Sequence, residues 1–259
     1  MISDFFEGRA LAIQESESET RRFGFTVTRA TVPLGNAASD DDVVAAVKSS
    51  ASDLVIVRFD ERRKALGQLL RRIPGVECIH ADTLVYYEWN VRRPQSPAAN
   101  LGNLTIMQTR SLNDIAGVLR ESFKDYRNHY SANPRLAASV TVTAYEEWAS
   151  NLLRNETSRA FVARDETSGE VTGFVLLSLA ETDRIAEVAL NAVRPAAQRG
   201  GVYSALMRAA AEYLVGLGTI DRLYISTQSE NLAVIAAWQK LGLKPFLSLE
   251  THHVMRHRD

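Results

Sequence analysis

The chain has 259 residues, of which 46% are hydrophobic and 24% are charged, the balance of an ordinary globular protein. The 30 basic and 31 acidic side chains give a net charge of −1, so the basic surface that generic nucleic-acid binding requires is not expected. The one cysteine, Cys78, excludes an intrachain disulfide and a cysteine-based zinc site. No apolar run is long enough to span a bilayer, so we expect a cytoplasmic protein without a membrane segment.

The first part of the chain, residues 1–92, is typical of a small α/β domain. Phe23–Val32 is rich in Phe, Val and Thr, which predicts a strand, and Glu61–Ile73 carries apolar residues at helical spacing. Residues 93–102 contain two prolines and no hydrophobic period, which predicts a linker.

Residues 103–259 have a different order of predicted elements. A helix with Ser111 as its N-cap comes early, and a second helix spans Tyr145–Leu153. Three strands follow, at Ala160–Arg164, Val171–Leu179 and Ile185–Val193. A long helix (Val202–Leu217), a strand (Leu223–Thr227) and a helix (Leu232–Leu241) come next, and a final stretch runs to Met255.

The most informative segment joins the strand that ends at Val193 to the helix that begins at Val202. Its loop contains the run Gln198-Arg199-Gly200-Gly201. Paired glycines let backbone N–H groups turn toward one point, and the helix N-terminus adds the positive end of its dipole. The loop therefore predicts a pyrophosphate site, to which Arg194 and Arg199 would add charge; the alternative is a plain strand–turn–helix connection. The GxGxxG and GxxxxGK[ST] patterns are absent, which argues against dinucleotide and P-loop sites.

The same segment resembles motif A of the GNAT superfamily of N-acetyltransferases, Q/R-x-x-G-x-G/A. Gln198, Gly201 and Tyr203 stand at its three defined positions, with Tyr203 in place of the usual small residue. Residues 227–243 resemble motif B, in which Asn231 matches the asparagine that contacts the pantetheine arm of CoA. Trp238 replaces the tyrosine that in many members protonates the departing thiolate. An indole N–H donates a hydrogen bond but does not transfer a proton near neutral pH, so that acid is missing or supplied elsewhere.

The resemblance covers residues 103–259 and implies an α/β fold. It implies a GNAT domain with a mixed, splayed central sheet, preceded by the smaller α/β domain. Acetyl-CoA, or another acyl-CoA, would be the co-substrate of an N-acetyltransferase. The residues expected to bind it are Asn191, Ala192, Val193, Gln198, Arg199, Gly200, Gly201, Val202, Tyr203, Ser204, Asn231 and Trp238.

A narrower resemblance concerns Phe123–Leu136, Tyr145–Trp148 and Thr251–Val254. These segments are similar to those of GNAT enzymes that acylate the amine of nucleotide-linked amino-deoxy sugars, such as the dTDP-fucosamine acetyltransferases. The similarity implies a nucleotide-sugar acceptor, with Tyr126, His129, Tyr130 and His253 as substrate-binding residues. Two alternatives are a different amine (a protein N-terminus, an aminoglycoside or a polyamine) and a degenerate acyl-CoA-binding regulatory module.

The acceptor amine arrives protonated, so the reaction needs a group that takes up a proton. Glu187 on the strand before the loop is one candidate, and His129 and His252 are the others. The resemblance implies that backbone N–H groups of Asn191–Val193 hold the tetrahedral oxyanion. No metal site is expected, because the histidines lack a ligand spacing such as HExxH. A homodimer is an expectation from the family.

Overall fold

The computed structural model of the chain describes residues 1–6, 9–35, 37–92, 102–137 and 142–257. Within these ranges ten strands form one sheet in a mixed α/β architecture. The strands are β1 (Ala12–Glu15), β2 (Val27–Thr31), β3 (Leu54–Asp60), β4 (Val76–Asn90), β5 (Leu104–Thr109), β6 (Ser158–Asp165), β7 (Val171–Ala180), β8 (Ile185–Val193), β9 (Arg222–Gln228) and β10 (Lys244–Arg256). The helices are α1 (Glu17–Phe23), α2 (Asp40–Ser49), α3 (Lys64–Arg71), α4 (Leu112–Phe123), α5 (Pro134–Ala137), α6 (Val142–Arg154), α7 (Val202–Leu217) and α8 (Leu232–Lys240). Short 3-10 turns cover Ile2–Phe5, His129–Ala132, Glu181–Asp183 and Pro195–Ala197.

The position of β10 joins the two halves of the chain. The strand order is β1-β2-β3-β10-β4-β9-β8-β7-β6-β5, so a late strand lies between two early ones. β10 is antiparallel to both β3 and β4, and β4 pairs in turn with β9. Residues 1–92 therefore share their sheet with the part of the chain after residue 102. The predicted linker, 93–102, lies outside the described residues except at Gly102.

Helices cover both faces of the sheet, and we call these the α7 face and the α4 face. On the α7 face, α7 and α8 pack on β8 and β9, and α2 and α3 pack on β3. On the α4 face, α4 and α6 pack on β6, β7 and β8, while the turn His129–Ala132 and α5 pack on β3 and β10. Because side chains alternate along a strand, each strand residue belongs to one face.

Most predicted elements of the C-terminal half are confirmed. β8 and α7 have the predicted bounds, and Ser111 is the N-cap of α4. The predicted strand Phe23–Val32 is wrong over its first residues, because Phe23 ends α1 and β2 begins only at Val27. Gly24 separates the two elements with the positive φ of 73° that ends a helix. Among the described helices, none is both long and apolar enough to cross a membrane.

The shared sheet predicts that both halves unfold together. β10 contributes to the cores of both, since Leu249 packs near Tyr224 of β9 while Val254 packs with Val57 of β3. We expect one thermal transition in calorimetry, with a calorimetric enthalpy equal to the van't Hoff enthalpy. Two resolved transitions would contradict a single cooperative unit.

Candidate acetyltransferase site

A one-residue bulge in β8 opens the sheet beside β9. The ladder between β7 and β8 skips Ala189, which has no residue opposite it. The parallel pairing of β8 with β9 covers only Ile185–Val188. Beyond this point the two strands separate, and Asn191, Ala192 and Val193 border the gap between them. An oxyanion site at Asn191–Val193, as the sequence predicts, would lie at this gap.

The loop after β8 has the conformation that an anion site needs. Arg199 and Gly201 both have positive φ angles, of 66° and 81°. Gly201 is the N-cap of α7, and a glycine has no side chain with which to cap the N–H groups of the first turn. A Cβ added to Gly201 would meet no atom within 4 Å. Free N–H groups, the helix dipole and open space at one point suit a pyrophosphate.

Side chains hold this loop and the end of β9 in place. Gln198 donates from Nε2 to the carbonyl oxygen of Val193 at 3.2 Å, which ties the loop to β8. Asn231 is the N-cap of α8 and donates from Nδ2 to Oγ1 of Thr227 at 3.1 Å. Arg194 pairs with Glu121 and donates to the carbonyl oxygen of Val171, so its charge is directed away from the loop. Arg199 is exposed and is the loop cation that remains.

Trp238 and Tyr203 form a pair between α8 and α7. The indole Nε1–H of Trp238 donates to the hydroxyl of Tyr203 at 2.6 Å, and only 1% of Trp238 is exposed. The Trp238 ring also packs on Tyr87, with ring centroids 5.4 Å apart. Burial raises the pKa of Tyr203 above its usual range. Because its oxygen accepts the indole bond, the hydroxyl keeps its own proton for another acceptor.

Glu187 projects from β8 onto the α4 face. Its Oε2 accepts the backbone N–H of Ile2 at 2.8 Å, so the first 3-10 turn covers it. Ile2 and Phe5 are buried in a cluster with Tyr86 and Tyr224 around the carboxyl group. Burial raises the pKa of Glu187. A raised pKa brings a carboxylate closer to the range in which a general base works at neutral pH.

His129 and His253 form a buried pair on the same face. Nδ1 of His129 lies 2.9 Å from Nε2 of His253, and Nδ2 of Asn133 lies 3.4 Å from Nδ1 of His253. Burial lowers the pKa of His253 to about 4 and that of His129 well below its usual range. Both rings are therefore neutral near pH 7, and one N–H is shared between them.

Tyr126 and Tyr130 have different surroundings. Tyr126 donates its hydroxyl proton to Oε1 of Gln228 at 2.6 Å, so it lies at the end of β9. The Tyr130 hydroxyl donates to the carboxylate of Glu19 and accepts from Arg29 at 3.0 Å. Arg29 in turn pairs with Glu19 at 2.6 Å. Tyr126 thus belongs to the region beside the gap, whereas Tyr130 fastens the turn His129–Ala132 to β2.

His252 lies on the α7 face, away from Glu187 and from its neighbour His253. Its Nε2 is 2.9 Å from Oε2 of Glu250, and its Nδ1 is 3.6 Å from the sulfur of Cys78. His80, Glu250 and His252 have potential ligand atoms within 4.8 Å of one another. Hydrogen bonds within the protein already account for both nitrogens of His252. The structure therefore does not bring His252 together with the other candidate catalytic groups.

Sequence reasoning missed a row of polar residues on the α4 face. Arg58 of β3, Thr251 of β10 and Asp82 of β4 are direct neighbours across three strands. Nε of Arg58 donates to Oγ1 of Thr251 at 3.1 Å. The sequence did contain one signal for this row. Arg58 is a charged residue with apolar neighbours before and after it in the strand Leu54–Asp60.

The sequence from 119 to 243 matches the profile of the acetyltransferase (GNAT) family. The match covers 125 of the 259 residues and identifies this segment as a GNAT acetyltransferase domain. The protein is an acyl-CoA-dependent N-acetyltransferase whose co-substrate is acetyl-CoA. No curated protein sequence matches the chain.

Solved structures share the fold over both halves of the chain. A tandem GNAT protein from the clavulanic acid biosynthesis pathway is 11% identical, with a TM-score of 0.57 over 90% of this chain and 76% of that protein. A GCN5-related N-acetyltransferase from Sphaerobacter thermophilus is 11% identical, with a TM-score of 0.57 over 93% of this chain and 76% of its own. One from Kribbella flavida is 13% identical, with a TM-score of 0.52 over 90% and 82%. At these identities the likeness concerns the fold alone.

We predict that Gly201→Ala weakens CoA binding at least tenfold. The added methyl group would occupy the open space beside the loop, where the pyrophosphate is expected. Calorimetric titration with CoA measures the change. Gly218→Ala is a matched control, because Gly218 caps the other end of α7 with a φ of 70° and equal free space. Both variants carry a similar strain of about 1–2 kcal/mol, so an equal loss of affinity in both would contradict the loop assignment.

We also predict a pH signature for Glu187→Gln. The pKa of Glu187 is raised in the folded state, so its contribution to stability is complete below the unfolded pKa and is lost as pH rises through the folded pKa. The free energy of unfolding of Glu187→Gln relative to wild type should therefore increase from pH 4 to pH 8 in urea titrations. Glu230→Gln, at an exposed carboxylate, controls for the change of charge alone. A constant difference for Glu187→Gln would contradict the prediction.

Proposed function

We propose that the protein transfers an acetyl group from acetyl-CoA to the primary amine of a nucleotide-linked amino-deoxy sugar. The observation that supports this most is that the predicted acceptor residues all lie on one face of the sheet, where His129 and His253 are in contact. Tyr126, His129, Tyr130 and His253 come from two distant parts of the chain and lie on the α4 face, which also carries Glu187. Their motif is the basis of the resemblance to nucleotide-aminosugar acetyltransferases.

In the proposed reaction the amine nitrogen attacks the carbonyl carbon of the thioester. Glu187 takes the proton of the amine, directly or through water, and the carbon–sulfur bond then breaks to release the CoA thiolate. His129 is a poorer base because its pKa is far below neutral pH, and His252 lies on the opposite face. N–H groups of Asn191–Val193 would stabilise the oxyanion.

We propose Tyr203 as the proton donor to the thiolate. Trp238 occupies the position of the usual tyrosine, and its N–H is bonded to the Tyr203 hydroxyl. Trp238 would therefore orient a phenol that is supplied by α7 rather than by α8. Proton transfer from this phenol leaves a thiol and a phenolate, which the indole N–H would stabilise.

An amine panel tests the proposed function. Thiol release from acetyl-CoA would be measured with a dTDP-linked aminodideoxyhexose, its UDP-linked counterpart, an aminoglycoside and spermidine. We expect turnover with a nucleotide sugar and little with the others. Turnover confined to the aminoglycoside or to spermidine would contradict the sugar assignment, and CoA binding without any turnover would favour a regulatory module. A homodimer is also proposed, and sedimentation equilibrium of the full chain would measure it.

The proton-donor role predicts that Tyr203→Phe lowers kcat at least tenfold, while Trp238→Phe retains most of it. The first variant removes the acid, whereas the second removes only the group that orients it. Tyr203→Phe also leaves the buried indole N–H without its partner, at a cost of about 1–3 kcal/mol, so both rates are measured well below the melting temperature. Because burial raises the pKa of Tyr203, wild-type kcat should show no descending limb near pH 10. Equal kcat values for Tyr203→Phe and wild type would exclude the role.

A further inference from the structure

Asp82 of β4 has a carboxylate that bonds to none of the described residues. Both of its oxygens are buried, and neither has a hydrogen-bond partner among the described residues. Buried carboxylates are ordinarily paired with a cation or with several N–H groups, because removing their charge from water is costly. Such an isolated group therefore calls for a partner from outside the described residues.

Asp82 lies just beyond the end of β9, beside the gap in the sheet. In the β4–β9 ladder Leu84 faces Gln228, the last residue of β9, so Asp82 extends past that end. Its side chain is on the α4 face, in one row with Thr251 and Arg58. It is also close to Tyr126, because the charge of Asp82 contributes to the raised pKa of that phenol. The hydroxyl of Tyr126 bonds to Gln228, which lies opposite Leu84, two residues from Asp82 along β4.

The nearby cations among the described residues form their hydrogen bonds with groups other than Asp82. Arg58, in the same row, donates Nε–H to Thr251, which stands between it and Asp82. Arg29 pairs with Glu19 and also bonds to Tyr130. The two histidines on this face, His129 and His253, are neutral near pH 7 and bond to each other. Among the described residues, no cation therefore bonds to the Asp82 carboxylate.

The charges of the two substrates decide which of them the Asp82 carboxylate can bind. Acetyl-CoA carries phosphates, which a buried carboxylate repels, and its expected contacts all lie between 191 and 238. A primary amine arrives largely as an ammonium ion, which offers three N–H donors and the opposite charge. We infer that Asp82 binds the ammonium group of the acceptor and positions it beside the gap between β8 and β9.

This inference rests on the proposed transfer to an amine and assigns the acceptor contact to a strand of the N-terminal half. Asp82 holds the ammonium group on arrival. The strand register places Glu187 level with Glu88, six residues along β4 from Asp82, so the group leaves Asp82 and loses one proton to water on its way to β8. Glu187 then takes the second proton as the carbon–nitrogen bond forms. Asp82 is therefore an acceptor-binding residue, and Glu187 remains the base. Any primary amine that the enzyme uses would need the contact, whatever its sugar or nucleotide.

Kinetics of Asp82→Asn test the contact. The substrate for this test is the amine of the panel above that the wild-type enzyme turns over fastest. We expect its KM to rise at least tenfold in Asp82→Asn, with the KM for acetyl-CoA unchanged. Asp82→Glu keeps the charge and should recover part of the affinity. An unchanged amine KM in Asp82→Asn would overturn the proposal.

Stability without any acceptor gives a second readout. Removing an unpaired buried charge should raise the melting temperature of Asp82→Asn above that of wild type. Asp165→Asn is the matched control, since Asp165 on β6 accepts the N–H groups of Thr167 and Ser168 at 2.8 and 2.9 Å. That variant should melt lower and keep the wild-type amine KM. A lower melting temperature in Asp82→Asn would show that the chain itself pairs Asp82 and would overturn the inference.

Different results would contradict the nucleotide-sugar acceptor and the ammonium contact of Asp82. Turnover with spermidine or an aminoglycoside in place of a nucleotide sugar contradicts the proposed acceptor but supports Asp82 if that amine has a raised KM in Asp82→Asn. Turnover of a nucleotide sugar with the same KM in both proteins supports the function and removes Asp82 from the site. No turnover of any amine contradicts both.

Discussion

The single-residue bulge at Ala189 is the feature on which the rest of the site depends. If β8 paired with β9 along its whole length, the N–H and carbonyl groups of Asn191–Val193 would belong to a sheet ladder. The bulge also changes which side chains point to which face. It turns Leu190 and Ala192 toward the core under α4, and Val193 toward the core under α7. One extra residue thus separates the strands and keeps both hydrophobic cores filled.

Under the proposed assignments, the site keeps opposite charges in different places. The anionic cofactor meets free backbone N–H groups and Arg199 at the N-terminus of α7. The cationic amine meets Glu187 and Asp82 on the α4 face, where helices and the first 3-10 turn exclude water. The two reactants then meet only at the gap, which orients them before any proton moves. Residues 1–92 take part in this arrangement because β4 supplies one of the two carboxylates.

The parts of the fold that follow from local sequence could be predicted, and those that need distant pairing could not. β8 and α7 are read correctly because their hydrophobic periods are clear, and the motif around Gly201 locates the loop. The insertion of β10 between β3 and β4 joins residues almost 200 positions apart, for which one sequence holds no signal.

The different locations of His252 and His253 could have been predicted from the sequence. Adjacent residues of a strand point to opposite faces, so the two could not serve one site once residues 244–256 were recognised as a strand. That the Asp82 carboxylate has no partner among the described residues is visible only when its neighbours on three strands are known.

The place of β10 has a consequence for the newly made polypeptide on the ribosome. β3 and β4 are synthesised early, but the strand that separates them is made more than 150 residues later. Until then, two edges with unpaired backbone groups and apolar side chains such as Val55 and Val57 stay open. The nascent N-terminal segment therefore cannot complete its hydrogen bonding by itself, and its open strand edges are exposed to aggregation until β10 has been made.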